Sequence, residues 1–267
     1  MNALTTILAG LLVLHSTPIA AATVAVRQRE GLVHGFLELS SLEGKTLADG
    51  DLLQTSKGDT VTSRLVFHFR DGSTYDETAV FTQRGRFRLV SNRMIQKGPA
   101  FPYELEATID MKSGRVDVRQ VKDGKEEKIS ERHELPDDLA NGLILTLLKN
   151  ISPETPKTIV SMLAITPKPR LVKLEFTPAV TEAFATGGKA RQATRYNVKV
   201  DIKGIMGVLA WVLDKTPPDS SVWILGGEAP AFIKSESPFY AESPLWRIEL
   251  VSPTWPRSST AAPEKKD

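Results

Sequence analysis

The sequence predicts a mainly β protein, β-rich within the α+β class: a curled antiparallel sheet or incomplete barrel with one or two short covering helices. Three observations predict it. Apolar and polar residues alternate at period two through successive segments, and that period belongs to strands with one buried face. Turn signals such as "DGS" at Asp71–Ser73 separate these segments too closely for βαβ crossovers, which need a dozen or more residues. One stretch, "LPDDLANGLILTLLKNISP", changes to helical spacing.

In "RLVFHFR", Leu65, Phe67 and Phe69 point one way while Arg64, His68 and Arg70 point the other. Gly72 then permits a tight turn, having no Cβ to clash at positive φ. "DETAVFT" supplies a partner strand through Ala79 and Phe81, and "RFRLVSN" a third, with Phe87 and Leu89 opposed to Arg86 and Arg88. "ELEATID" continues the pattern through Leu105, Ala107 and Ile109; "KSG" turns the chain into "RVDVRQV", and "KDGKE" leads into a charged run ending near His133.

At Pro136 the period changes. Asp137 is placed to cap a helix and Asp138 to favour its positive end. Leu139, Ala140, Leu143, Ile144, Leu147 and Leu148 form its apolar stripe, interrupted in propensity by Gly142. Pro167 and Pro169 then divide the next β-rich stretch into separate strands. "YNVKVDIK" alternates cleanly, with Tyr196, Val198, Val200 and Ile202 inward. Ile205–Leu213 reads as a short helix or buried loop over the sheet, stopped by Pro217 and Pro218. "SVWILGG" and the alternation of Trp246, Ile248 and Leu250 give two later strands.

The N-terminus carries an apolar run from Ile7 to Leu14, then Pro18 and three alanines. Ala20 and Ala22 suit the small-residue positions before a signal-peptide cleavage site, so residues 1–22 are assigned to export and the mature chain starts at Thr23. The run is too short to remain as a membrane-spanning helix, which needs about 20 apolar residues. The expected location is the periplasm or the exterior. Residues 23–255 form one β-rich domain, with two packed halves (23–150 and 151–255) as the alternative division. Residues 256–267, small, charged and proline-rich, read as a disordered tail.

With 34 Lys and Arg against 32 Asp and Glu, the chain has no broad cationic field, which argues against nucleic-acid binding. There is no cysteine, so neither disulfide nor acylated cysteine is available. After cleavage the histidines are His34, His68 and His133, none at metal-ligand spacing. No serine lies in a nucleophile elbow, and "GIMGVLAW" lacks the lysine and glycine pattern of a phosphate-binding loop. No catalytic residue, cofactor or metal is therefore assigned. Asp71, Asp76 and Glu77 surround one turn, where capping and solvation are the ordinary roles of carboxylates.

Two sets of residues remain as candidate binding groups. Arg64, His68, Arg70, Arg86 and Arg88 share the polar sides of neighbouring strands. They are suited either to an anionic head group or to neutralisation by Glu104 and Glu106 on the next strand. Phe67, Phe81, Phe87, Leu143, Leu147, Trp211 and Trp223 are the apolar candidates, lining a concavity that is either a packed core or a ligand chamber.

Export signal, meander and cover helix together resemble uncharacterised bacterial periplasmic β-proteins and, more distantly, the lipoprotein-carrier superfamily. The resemblance covers most of the mature chain at the level of segment pattern and transfers no individual residue. It implies a curled sheet that takes up acyl chains. The leading expectation is thus a non-enzymatic carrier of an apolar or lipid-like ligand, which a solid interior would count against. The alternatives are an envelope interaction or assembly protein, anchored by an exposed patch of Phe232, Phe239, Tyr240 and Trp246, and a hydrolase.

Overall fold

The computed structural model describes residues 23–165, 169–186, 189–201, 219–240 and 243–252. The signal segment, the apolar stretch containing Trp211 and the C-terminal tail lie outside these residues.

Eight strands come first: β1 (Val33–Ser41), β2 (Thr46–Lys57), β3 (Thr60–Phe69), β4 (Thr74–Arg84), β5 (Arg86–Lys97), β6 (Glu104–Asp110), β7 (Arg115–Lys122) and β8 (Lys125–Arg132). One helix follows, α1 (Ile144–Asn150), then β9 (Thr158–Ala164), β10 (Arg170–Thr186), β11 (Lys189–Asp201), β12 (Ser220–Leu225), β13 (Ala231–Pro238) and β14 (Leu245–Val251). Among the described residues all the strands belong to a single antiparallel sheet of 14, ordered β8-β7-β6-β5-β4-β3-β2-β1-β14-β13-β12-β11-β10-β9. Two meanders, one on each side of α1 in sequence, thus join through the β1–β14 pairing, where Leu39 meets Ile248. β8 and β9 are the outer strands and do not pair with each other, which makes the architecture a curled, incomplete barrel.

The local chemistry accounts for the turns and the curl. Gly72 sits at φ 88° and donates its N–H to the Phe69 carbonyl at 3.1 Å, closing the β3–β4 hairpin where "DGS" predicts it. Asp123 and Gly124, both at positive φ, form the two-residue connection between β7 and β8. Register shifts at Leu39/Ser40, Val80/Phe81, Pro178/Val180 and Trp223/Ile224 insert bulges, which bend strands and sharpen their twist. Pro178, which has no N–H for the ladder, falls at one of them.

The helix is shorter than its apolar stripe predicts. Gly142 adopts φ 69°, which breaks the helical path, and α1 starts only at Ile144 with Leu143 as an N-cap that offers no side-chain bond. Asp137 is not the cap; it pairs with Arg88 at 2.8 Å. The preceding residues instead run beside β9. Ala140 N–H donates to the Ser161 carbonyl at 2.8 Å, and Ser161 N–H donates to the Asp138 carbonyl at 3.3 Å. The Asn141 side chain then acts as a surrogate peptide, accepting from Leu163 N–H at 2.8 Å and donating to the Leu163 carbonyl at 2.9 Å. An otherwise free strand edge gains four hydrogen bonds this way, which outweighs continuing a helix through a glycine.

Candidate functional site

The concave face of the sheet is filled by the chain itself. Phe67, Phe81, Phe87, Leu143 and Leu147 all belong to one buried cluster, with Leu39, Ile109, Leu163 and Phe176. Phe81 and Phe87 meet edge to face with centroids 6.0 Å apart. At one end the β13–β14 connection turns inward. Ser243 Oγ accepts from Phe239 N–H at 2.7 Å, and the Phe239 ring lies 4.6 Å from Tyr75, 5.5 Å from Trp246 and 5.6 Å from Phe67. Phe232, Phe239, Tyr240 and Trp246 are therefore part of the core or packed against it, and do not form the exposed patch expected of them.

Residues 23–30 cross the other end. Arg27 and Gln28 donate their N–H groups to Asn150 Oδ1 at 2.8 and 2.7 Å, which fastens this segment to the C-terminus of α1. Behind it lies a buried polar group. Glu30 accepts from Lys149 Nζ at 2.7 Å and from Gln54 Nε2 at 2.6 Å, while its backbone exchanges two bonds with the Gln83 amide. Every buried member finds a partner, as the cost of an unpaired polar group demands. The Asn150 and Lys149 ties stitch the N-terminus to the helix across more than a hundred residues of sequence, and the Gln54 and Gln83 ties join it to the sheet across 24 and 53, leaving no local signature.

Trp223 occupies a different place from the one expected. Its neighbours Val222 and Ile224 enter the core, while Trp223 stands opposite Arg195 and Lys234 on the convex face. Its indole N–H donates to Glu182 Oε2 at 2.9 Å and the Lys234 ammonium lies 3.9 Å from the ring centroid. It is buried by long charged side chains, not by the concavity. The position of Trp211 lies outside the described residues.

The polar row is dispersed. Arg64 donates two bonds to Asp76, from Nε at 3.0 Å and Nη2 at 2.7 Å, and this pairing raises its already high pKa. His68 is exposed, and Arg70 lies 3.6 Å from Asp49. Arg86 donates to the carbonyl and hydroxyl oxygens of Thr23 at 2.9 and 3.0 Å. Since Arg88 stands opposite Thr82 and Thr82 opposite Thr60, four residues of β3, about 13 Å, separate that level from Arg64. Glu104 and Glu106 do not neutralise this row; Glu106 accepts instead from Arg93, at 2.6 Å.

Asp71, Asp76 and Glu77 likewise divide among three roles. Asp71 accepts from Ser73 N–H at 2.9 Å, which caps the turn and lowers its pKa. Asp76 faces outward to Arg64, while Glu77 follows the inward phase of Tyr75, Ala79 and Phe81. Residue Glu77 as a whole keeps intermediate exposure, but its carboxyl group is enclosed, and this burial pushes its pKa upward against the opposing bonds from Asn92 Nδ2 (2.9 Å) and Tyr75 Oη (3.1 Å). Burial also drives the Tyr75 phenol well above its usual value, and Glu77 adds to that. Extending the alternation of β4 backwards from Ala79 identifies Glu77 in sequence.

A serine, a lysine and an aspartate also meet. Ser161 Oγ donates to Asp138 Oδ1 at 2.7 Å and accepts from Lys173 Nζ at 2.7 Å. A lysine-activated serine must give its proton to a neutral amine. Here the hydroxyl proton goes to Asp138, the lysine donates, and Ser161 is 1% exposed. The trio braces the β9 edge. Among the described residues no group of three or more His, Asp or Glu is arranged to hold a metal ion.

Two clefts lie where residues 23–30 cross. A shallow cleft of 470 Å³ is lined by Thr82, Arg84, Gly85, Arg86 and Arg88. A second, of 210 Å³, lies against Thr23, Arg27, Asn150, Ser152 and Thr155. Thr23 links them through its bonds to Arg86. Neither reaches the aromatic interior.

No protein-family model and no curated protein matches the chain. Among solved structures it is similar to a β-barrel-like protein of domain of unknown function DUF1849 from Brucella abortus, with 9% identity and a TM-score of 0.47 over 84% of this chain and 98% of that one.

Proposed function

We propose that this is an exported, non-enzymatic envelope protein that works through its surface, its barrel interior serving as a packed support. The observation that carries this reading is the filled concavity. α1, residues 23–30 and the Phe239 turn occupy the space in which a carrier would hold an acyl chain, and Phe67, Phe81, Phe87, Leu143 and Leu147, expected to line that space, are buried in one packed cluster. Full burial of each large apolar side chain stabilises the fold by about 1.5 to 3 kcal/mol, so opening such a chamber carries a large cost. Export rests on the apolar N-terminal run and its alanines.

A second reading, carriage of a lipid-like ligand, draws support from the form of the cover. Residues 23–30 and α1 are fastened by discrete polar ties around Asn150 and Glu30, not by a second sheet, so releasing those ties would begin to uncover Phe81 and Phe87. Native mass spectrometry of protein isolated from its own envelope, without harsh detergent, separates the two. An apo mass that takes up no added lipid supports a surface role; a discrete adduct released as lipid by organic extraction overturns it in favour of carriage.

A further inference from the structure

We propose that the arginine-bearing end of the barrel docks on a bilayer surface rich in anionic phosphate headgroups. This rests on the surface-acting reading above and names the partner of that surface.

The charges at this end are unbalanced. Arg27, Arg29, Lys57, Arg84, Arg86 and Arg88 are all exposed. Asp59 is shared by Arg29, at 2.7 Å, and Arg84, at 3.5 Å, and Asp137 is taken by Arg88. Arg86 bonds only to uncharged oxygens of Thr23, and Arg27 has no carboxylate partner among the described residues. Of these six cations three pair with a carboxylate, and those three share two. The opposite end has a smaller excess: Glu43, Asp71 and Asp123 are interspersed with Lys45, Arg70, Lys97, Lys122 and Lys125 around its turns.

The geometry brings these cations together from separate elements. Asp59 in the β2–β3 turn reaches across to the β4–β5 hairpin, while Ala25 bridges to Arg86. The crossing segment thus lays Arg27 and Arg29 beside the hairpin that carries Arg84 and Arg86. In the same segment, next to β1, Leu32 is 80% exposed. The register Val33 to Gln54 sets Leu32 at the level of the β2 terminus, near Lys57.

The form of the surface selects the occupant. A small soluble anion needs an enclosing site with converging donors, whereas this cleft is open and Arg84 is 89% exposed. A largely exposed leucine among arginines has no apolar partner in water. A bilayer interface supplies both phosphates for the guanidinium groups and hydrocarbon for the leucine.

The test is co-sedimentation of the mature chain with vesicles of phosphatidylcholine alone and of an equimolar mixture with phosphatidylglycerol. Binding is expected only to the mixture, and it should weaken as salt rises from about 0.1 to 1 M and the screening length falls from about 10 to 3 Å. Arg84→Gln and Arg86→Gln should each lower the partition coefficient about fivefold, and Leu32→Ser several-fold. Arg84 makes no contact that the fold requires, so its variant stays informative even if Arg86→Gln loosens the N-terminus.

Wild-type protein that ignores the mixed vesicles, or an Arg84→Gln variant that binds them unchanged, overturns the proposal. So does inorganic phosphate binding without vesicle binding, which would assign the cleft to a soluble anion. An apo mass combined with no vesicle binding defeats only the membrane partner. A lipid extracted from the interior defeats the surface-acting reading itself.

Discussion

Replacing Gly142 by alanine tests whether the cover sits on the sheet as described. The residue has φ 69°, a left-handed conformation that costs an L-residue about 1 to 2 kcal/mol. Its added Cβ would also stand 2.7 Å from Ala79 Cβ, 2.8 Å from Asn92 Nδ2 and 3.3 Å from Glu77 Oε1. Ala79 has no rotamer to yield, so relief must come from lifting the 138–142 segment or displacing the Glu77–Asn92 bond. Overpacking of that kind costs about 1 to 3 kcal/mol, giving a total of about 2 to 5 kcal/mol. Gly72→Ala is the internal control: φ is 88° and a Cβ there meets nothing within 4 Å, so only the conformational cost applies, about 1 to 2 kcal/mol. Urea unfolding of both variants, with unchanged m-values, should give Gly142→Ala the lower midpoint by a clear margin. Equal losses would refute the reasoning, since the excess belongs to the contact between cover and sheet.

Glu77→Gln tests the enclosed carboxyl. Because burial raises the folded-state pKa above the ordinary value of 4.5, the native state holds more protons than the unfolded chain in the window above 4.5. Wild-type stability should therefore fall as pH rises through that window and level off beyond the raised pKa. The glutamine variant should lose this slope and gain relative stability at neutral pH, measured by thermal unfolding across the acid range; an unaltered slope would remove Glu77 as its source. Asn150→Ala strips the shared acceptor from the Arg27 and Gln28 N–H groups, a loss of about 2 kcal/mol. Hydrogen exchange should show faster exchange at those two amides, and unchanged protection would mean that the crossing segment is held by other contacts.

The β3–β7 meander is legible in the sequence because one of its faces is wet. Phe67 and His68, or Phe87 and Arg88, declare opposite sides without knowledge of their neighbours. β2 is hidden for a physical reason: its inward positions are Ala48, Gly50, Leu52 and Gln54, and a Cβ at Gly50 would overlap the Phe67 ring. The strand gives up its own apolar signal to seat its neighbour's aromatic ring. Trp223 is misplaced by sequence reasoning because "SVWIL" is a continuous apolar run with no alternation to assign its faces. Only the cross-strand partners Arg195 and Lys234 turn it outward. The helix start fails at Gly142, where a favourable stripe yields to a left-handed residue and an unsatisfied strand edge. The arginine end was partly visible in Arg86 and Arg88, but Arg27, Arg29 and Lys57 join it only through pairings between distant segments.

The unclosed seam bears on function as well as architecture. Closing the barrel would require β8 to pair with β9, and both edges oppose that pairing. β8, "KEEKISER", is exposed along nearly its whole length, so a docking strand would have to desolvate its charges. On β9 the edge groups of Ser161 and Leu163 are already taken by Asp138, Ala140 and Asn141. The segment that covers this edge is continuous with the one that fills the interior, since Gly142 seats it against Ala79 and Leu143 opens α1. A carrier that swung this cover outward would expose Phe81, Phe87 and an unpaired β9 edge in one movement, the combination that promotes aggregation. The linkage between edge protection and interior filling therefore favours a cover that stays in place, which is what a role confined to the surface, as proposed above, requires.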